Sequence, residues 1–202
     1  MKVLVACEFS GIVREAFKKR GHYALSADFL PSDIPGNHYQ GNVLKLLEAC
    51  RYGTLSGYGY KFFDLLIAFP PCKYICNGGN NWLNRRPDLE WRRNRELGAN
   101  FFLELVNAPI ERIAIENPIG CMSSKYRKPD QIIHPWMFGH DIRKDTCLWL
   151  KNLPPLMPTL IAPPPHKKID YWSDKRNPDG RSLKSITYQG IAEAMAEQWG
   201  SL

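Results

Sequence analysis

The sequence lacks any long uninterrupted apolar run. A membrane-spanning helix needs roughly 18 such residues, and the first run, Met1 to Cys7, already ends at the charged Glu8. The same run is too short to form the core of a signal peptide. We therefore expect a soluble, cytoplasmic protein with no membrane partner.

Internal repeats, low-complexity segments and a dense cysteine framework are also missing. Six cysteines are spread over 202 residues, of which 44% are hydrophobic. Such a chain can bury a core without disulfides, so we expect reduced thiols. Cys72 and Cys76 have no second tight pair of candidate ligands, and we predict no metal site. No composition shift marks a domain boundary, which favours a single domain over residues 1–202.

Acidic residues are fewer than basic ones. The chain has 20 Asp and Glu against 27 Lys and Arg, a net charge of +7. This balance favours a polyanionic partner such as nucleic acid. Basic residues cluster at Arg85, Arg86, Arg92, Arg93 and Arg95, where phosphate binding and a solvated helix face are equal alternatives.

Continuous apolar runs and segments of helical periodicity follow one another along the chain. The runs predict strands at Lys2–Cys7, His22–Ala27, Phe62–Phe69 and Ile110–Ile115. Helices are predicted at Ile12–Arg20, near Leu44–Cys50, near Asp88–Val106 and at Ile191–Trp199, with Gly21 ending the first. The order predicts an α/β fold: a Rossmann-like, mostly parallel sheet with helices on both faces.

Polar and reactive residues follow several of these strands. Glu8 to Gly11, Asp28, the Pro70-Pro71-Cys72 run and Glu116 to Pro118 stand at strand ends. Ligands of open α/β sheets bind beyond the carboxyl ends of the strands. An acid after the second strand suits the hydroxyls of an adenosine ribose, although Asp28 could equally cap a turn.

Cys72 follows two prolines that make its loop rigid. A thiolate presented there could act as a covalent nucleophile, while a lone cysteine more often packs as a small apolar residue. Glu116 at another strand end favours the first alternative. A carboxyl group beside a thiol can protonate a ring nitrogen and open a ring carbon to attack.

These motifs resemble those of the DNA cytosine-5 methyltransferases. The segment Asp64 to Cys72 resembles their Pro-Cys nucleophile motif. The segment Ile115 to Pro118 resembles their Glu-Asn motif, with Pro118 where valine is usual. Gly41-Asn42-Val43 is similar to their Gly-Asp-Ile motif, with Asn42 in place of the acid.

The resemblance extends to both ends of the chain. Glu8 to Gly11 stand at the first methyl-donor motif but lack its glycine-rich form. Thr187 and Gly190 precede the last helix as in the closing donor motif. The resemblance therefore implies a methyltransferase-type fold and S-adenosylmethionine as cofactor.

The resemblance also assigns roles. Cys72 would add to C6 of cytosine, Glu116 would contact N3 and the exocyclic amine, and C5 would receive the methyl group. Arg143 is the candidate basic residue near the base, with Lys144 or a plain surface charge as alternatives. The implied donor-binding residues are Glu8, Phe9, Ser10, Gly11, Asp28, Asn42, Pro71 and Thr187.

The chain departs from this family where a large target-recognition region is usual. Residues 151–184 form only a short, basic, proline-rich insertion with Lys167, Lys168, Lys175, Arg176 and Arg181. The departure implies low sequence specificity on DNA, recognition by a second subunit, or a smaller substrate such as a single strand or a free nucleotide. A non-catalytic nucleic-acid-binding module that keeps the fold is the alternative from another functional class.

Overall fold

The computed structural model describes residues 1–52, 63–77, 89–160 and 186–202. The strands are β1 (Lys2–Ala6), β2 (Tyr23–Asp28), β3 (His38–Gln40), β4 (Leu65–Ala68), β5 (Arg112–Asn117), β6 (Gln131–Ile133) and β7 (Thr146–Lys151). The helices are α1 (Ile12–Lys19), α2 (Val43–Tyr52), α3 (Leu89–Val106), α4 (Met122–Lys125) and α5 (Gln189–Gln198), with a 3-10 turn at Pro135–Phe138.

All seven strands form one sheet in the order β3-β2-β1-β4-β5-β7-β6. Strands β1 to β5 run parallel, and β7 runs antiparallel to both β5 and β6. The carboxyl ends of β1 to β6 and the start of β7 therefore lie along one edge, here called the carboxyl edge. This arrangement confirms the predicted mostly parallel α/β sheet.

Helices cover both faces of the sheet, as predicted. Apolar residues of α2 and α3 pack on one face, and those of α1 and α5 pack on the other. The central strands β1 and β4 are buried on both sides, which explains why their sequences show no polar alternation. Gly21 follows α1 with a left-handed φ of 82°, as its predicted role at the helix end requires.

Three strands were not predicted. β3 and β6 have only three residues each, too few for a periodicity to be recognised. β7 is longer and buried at five of its six positions, but its sequence, TCLWLK, follows an irregular stretch without a helix that would mark a crossover. Strand β4 is shorter than predicted, since Phe69 lies beyond its end.

Some predictions fall outside the described residues. These are Arg85, Arg86, the segment from Lys167 to Arg181, and with it most of the insertion at 151–184. None of the helices in the described ranges combines the length and the apolar character needed to cross a membrane.

Candidate active site

The loop after β4 carries Cys72 at the carboxyl edge. Phe69 still donates its backbone N–H to Ala6 at 3.0 Å, and the chain then leaves the sheet at the buried Pro70. The carbonyl of Cys72 accepts hydrogen bonds from the N–H groups of Ile75 and Cys76 at 3.1 and 2.9 Å. Cys72 thus opens a single hydrogen-bonded turn and is partly exposed, whereas Pro71 beside it is exposed.

A buried side chain joins this loop to the end of β5. The Asn117 amide donates a hydrogen bond of 2.8 Å from Nδ2 to the carbonyl of Pro70. Further along, Cys121 N–H donates to the carbonyl of Ile75 at 2.8 Å. Gly120 lies so close to the same carbonyl that a Cβ there would overlap it. The segment that ends at Cys72 and the segment from Ile115 to Pro118 are therefore packed together in the folded chain.

The charges of Glu116 and Lys144 act on the same thiol. Burial raises the pKa of the Glu116 carboxyl, and the Lys144 ammonium opposes that shift. The pKa of the Cys72 thiol is raised by its hydrogen bond to the Cys76 thiol, by burial and by the Glu116 charge, while Lys144 again acts in the lowering direction. Glu116 and Lys144 therefore lie close enough to Cys72 for their charges to act on its thiol.

Lys144 reaches this group because β7 runs antiparallel. Cys147 pairs with Asn117, so the residues just before β7 lie next to the end of β5. The backbone there is fixed by His134 Nδ1, which lies 3.1 Å from the Lys144 carbonyl oxygen. The role assigned to Arg143 stays a prediction, and the alternative residue, Lys144, is the one placed at the pair.

The turn after β1 is closed by its own side chains. Glu8 Oε1 accepts hydrogen bonds from the Val13 N–H at 2.7 Å and from the Ser10 hydroxyl at 3.2 Å. Ser10 Oγ accepts a bond of 3.3 Å from the Ile12 N–H. Glu8 and Ser10 thereby cap the start of α1, and Gly11 allows the turn with a φ of 75°.

The surroundings of Glu8 shift the pKa of its carboxyl group. Burial raises its carboxyl pKa to about 7, although its bonds to backbone and to Ser10 act in the opposite direction. Its second oxygen, Oε2, is buried and has no hydrogen-bond partner among the described residues. Phe9 beside it is buried as well.

Asp28 and Asn42 follow the next two strands. Asp28 Oδ1 accepts a bond of 2.9 Å from the Leu30 N–H, so it does cap a turn. Its charge also contributes to raising the pKa of the Cys7 thiol, which places the carboxylate near the end of β1. Asn42 Oδ1 accepts a bond of 3.0 Å from the Leu44 N–H at the start of α2. Asparagine and aspartate cap helices equally well, which accounts for Asn42.

Thr187 lies two residues before α5, whose start is fixed by a histidine that sequence analysis missed. The Gly190 N–H donates a bond of 3.0 Å to His140 Nε2, and the Tyr188 ring lies 5.1 Å from the His140 ring. A Cβ at Gly190 would overlap the carbonyl of Phe138. The only sequence signal was the glycine itself.

The described ranges hold no group of three or more His, Cys, Asp or Glu side chains able to bind a metal ion. The six cysteines all lie in the described ranges, and none of them forms a disulfide. Arg14, which sequence analysis also missed, is wholly buried in the first turn of α1. A basic residue on the apolar face of a short helix, between Val13 and Phe17, was the available signal.

No protein-family model matches this chain, and no curated protein matches it either. A similar solved structure is that of a protein described as a DNA modification methyltransferase encoded within a prophage of Escherichia coli. The TM-score is 0.51 at 16% sequence identity, over 81% of this chain and 52% of the other. The chain thus spans about half the length of that protein. The likeness shows a methyltransferase-like α/β fold, as predicted.

Proposed function

We propose that the protein is an enzyme that methylates C5 of cytosine in DNA through a covalent adduct with Cys72, using S-adenosylmethionine. The observation that carries the proposal is the buried bond from Asn117 Nδ2 to the Pro70 carbonyl. It joins the Cys72 loop to the strand end that bears Glu116. The described function of the structural neighbour supports the choice of DNA as substrate.

Cys72 and Glu116 have distinct roles in this reaction. The Cys72 thiol gives up its proton to water and its sulfur bonds to C6, while the Glu116 carboxyl gives a proton to N3. A raised carboxyl pKa favours the protonated form that this transfer needs. When bound, S-adenosylmethionine supplies the methyl group. Loss of the C5 proton to water, departure of the Cys72 thiolate and return of the N3 proton to the Glu116 carboxylate restore the aromatic ring.

The residues at the other strand ends fit an adenosine ligand without phosphates. The N–H groups of Ile12 and Val13 at the start of α1 are used by Ser10 and Glu8. They are therefore not available to a phosphate group. In dinucleotide-binding folds, by contrast, the start of the corresponding helix binds the pyrophosphate. Asp28 at the end of β2 suits the ribose hydroxyls. The residues proposed to hold the donor are Glu8, Phe9, Ser10, Gly11, Asp28, Asn42, Pro71 and Thr187.

A non-catalytic nucleic-acid-binding protein is the second candidate, and one observation favours it. The pKa of the Cys72 thiol is raised in the resting protein, whereas nucleophilic cysteines commonly have lowered values. The catalytic proposal therefore requires that substrate binding changes the surroundings of Cys72, for example by separating it from Cys76.

A cytosine analogue distinguishes the two candidates. An oligonucleotide with 5-fluorocytosine cannot lose a C5 proton, so the enzyme should remain attached to it after methyl transfer. We expect a complex that survives denaturing electrophoresis with the parent protein and with Cys76→Ser, the matched control in the same turn. Cys72→Ser should give none. Absence of the complex with the parent protein would favour the non-catalytic candidate.

A further inference from the structure

Arg14 is a charged side chain without a solvent-exposed surface, although it lies on the short helix α1. A buried guanidinium is costly unless its donors are satisfied. Its NH1 donates to the hydroxyl oxygens of Ser26 and Ser32 at 2.9 and 3.0 Å. Its NH2 donates to the carbonyl of Ile34 at 2.6 Å, and its Nε donates to Glu15 at 2.9 Å.

Two of these four partners, Ser32 and Ile34, belong to one exposed loop. Residues 29–37 connect β2 to β3, and nearly all of them are exposed. A loop of this kind has no apolar core of its own to hold its shape. The His38 and Gln40 side chains hydrogen-bond to its first residues. The guanidinium supplies a further fixed point, because it is buried and bonds to both Ser32 and Ile34.

The sequence leaves room for this side chain at two glycines. A Cβ on Gly36 would lie 2.9 Å from the Arg14 guanidinium, and one on Gly11 would lie 2.7 Å from it. Gly11 belongs to the turn after β1 and Gly36 to the loop after β2. The guanidinium is therefore packed between the two segments.

The proposed donor contacts lie in the turn and at the start of the loop. Glu8 to Gly11 form the turn, and Asp28 is the last residue of β2, where its carboxylate accepts the N–H of Leu30 in the loop. A backbone bond of 2.8 Å from the Asp33 N–H to the Phe9 carbonyl ties them a second time. A shift of the loop would thus move the Leu30 N–H that orients the Asp28 carboxylate relative to the turn.

We propose that Arg14 is a positioning residue that holds the loop after β2 against the turn after β1 and so fixes the spacing of the donor site. The inference rests on the proposed function for the identity of the donor. The planar guanidinium reaches several acceptors at once, which a lysine ammonium at the end of a flexible chain does not. Arg14→Lys should keep the charge and lose the bracing of the loop.

Hydrogen exchange and donor titration test the role together. In Arg14→Lys, amides of residues 29–37 should exchange faster while those of β1, β4 and β5 do not change. The dissociation constant for S-adenosylmethionine, measured by calorimetry, should rise about tenfold, as expected for the loss of one to two hydrogen bonds. Ser32→Ala removes one loop acceptor without touching the core and should show the same pattern to a smaller degree.

Arg20→Lys is the matched control, since Arg20 is an exposed arginine just after the same helix and pairs with Glu197. It should change neither readout. Unchanged loop exchange in both Arg14→Lys and Ser32→Ala, or faster exchange spread over the whole chain, would overturn the proposal. Equal donor affinity in parent and Arg14→Lys would refute the role of Arg14 alone. No donor binding by the parent would refute the proposed function and the donor role with it.

Discussion

At the scale of single residues, the carboxyl edge is marked by acids whose surroundings disfavour the charged form. Burial raises the pKa of both Glu8 and Glu116, whereas the Asp28 carboxylate accepts a backbone bond at a partly exposed position. Sequence analysis placed all three at strand ends, because that depends only on where apolar runs stop. The degree to which each carboxyl is shielded from water depends on which residues pack over it and could not be predicted.

The raised pKa of Glu8 predicts a pH dependence of stability. The folded state keeps the proton up to about pH 7, whereas the unfolded chain releases it near its ordinary value of 4.5. The free energy of unfolding should therefore fall as pH rises through this window, by at most about 3 kcal/mol. The Glu8→Gln variant has no ionisable group at this position. Its free energy of unfolding should therefore not show this part of the decrease with pH.

Urea unfolding of parent and Glu8→Gln at pH 5 and pH 7.5 measures the difference. The variant keeps an oxygen acceptor for the Val13 N–H. Relative to the parent, the variant should be more stable at the higher pH than at the lower one. A constant difference across the two pH values would contradict the raised pKa.

Asp28 gives a second prediction at this scale. Asp28→Ala should raise the dissociation constant for S-adenosylmethionine roughly tenfold or more, because a hydrogen bond to a charged group is removed. Affinity for nucleic acid should not change. Asp64→Ala is the control, since its carboxylate also accepts a backbone N–H, that of Lys2, but at the opposite edge of the sheet. Calorimetry measures both, and unchanged donor affinity in Asp28→Ala would leave Asp28 as a turn cap.

At the scale of elements, the four longer parallel strands were predictable, whereas the short parallel strand β3 and the antiparallel pair of β6 and β7 were not. Runs such as Leu65 to Ala68 are recognised because they are apolar without interruption. Parallel strands then place their ends at one edge, so the neighbourhood of Cys72 and Glu116 followed from topology. Lys144 lies just before β7, and no local sequence pattern predicted that β7 runs antiparallel to β5.

The hydrogen bond between Asn117 and Pro70 should support both stability and chemistry. Asn117→Ala leaves the buried Pro70 carbonyl without its donor and should lower the free energy of unfolding by about 1–3 kcal/mol. The rate of adduct formation with 5-fluorocytosine should fall, because the Cys72 loop is no longer held in position. Asn107→Ala is the control, because its amide also donates to a backbone carbonyl, that of Leu103, but at an exposed site. Equal adduct rates for parent and Asn117→Ala would contradict this role.

At the scale of the whole molecule, the basic surfaces lie on different faces of the sheet. Arg92 and Arg93 are exposed near the start of α3, and Lys19 and Arg20 are exposed at the end of α1. α3 and α1 pack on opposite faces. Of these two helices, α3 contacts the Cys72 turn, through the Tyr74 and Trp91 rings, whose centroids are 4.7 Å apart.

We expect phosphate binding on the α3 side to dominate DNA affinity. Binding should weaken steeply with salt and differ little between sequences. Replacing Arg92 and Arg93 by alanine should reduce the salt slope by about one to two units, at about one unit for each phosphate that is no longer neutralised. Replacing Lys19 and Arg20 removes the same charge and should leave the slope unchanged. Sharp discrimination between oligonucleotides of equal length would instead point to base readout or to a second subunit.

The direction of β7 also has a consequence for the order in which the chain folds. Parallel pairing joins distant segments, as where Val3 meets Leu65, while β6 and β7 meet across one connection, from Ile133 to Thr146. Closing a short connection costs less conformational entropy than closing a long one. The β6–β7 pair should therefore acquire protection early in pulse-labelling experiments, and the central strands, which carry the proposed chemistry, should acquire it last.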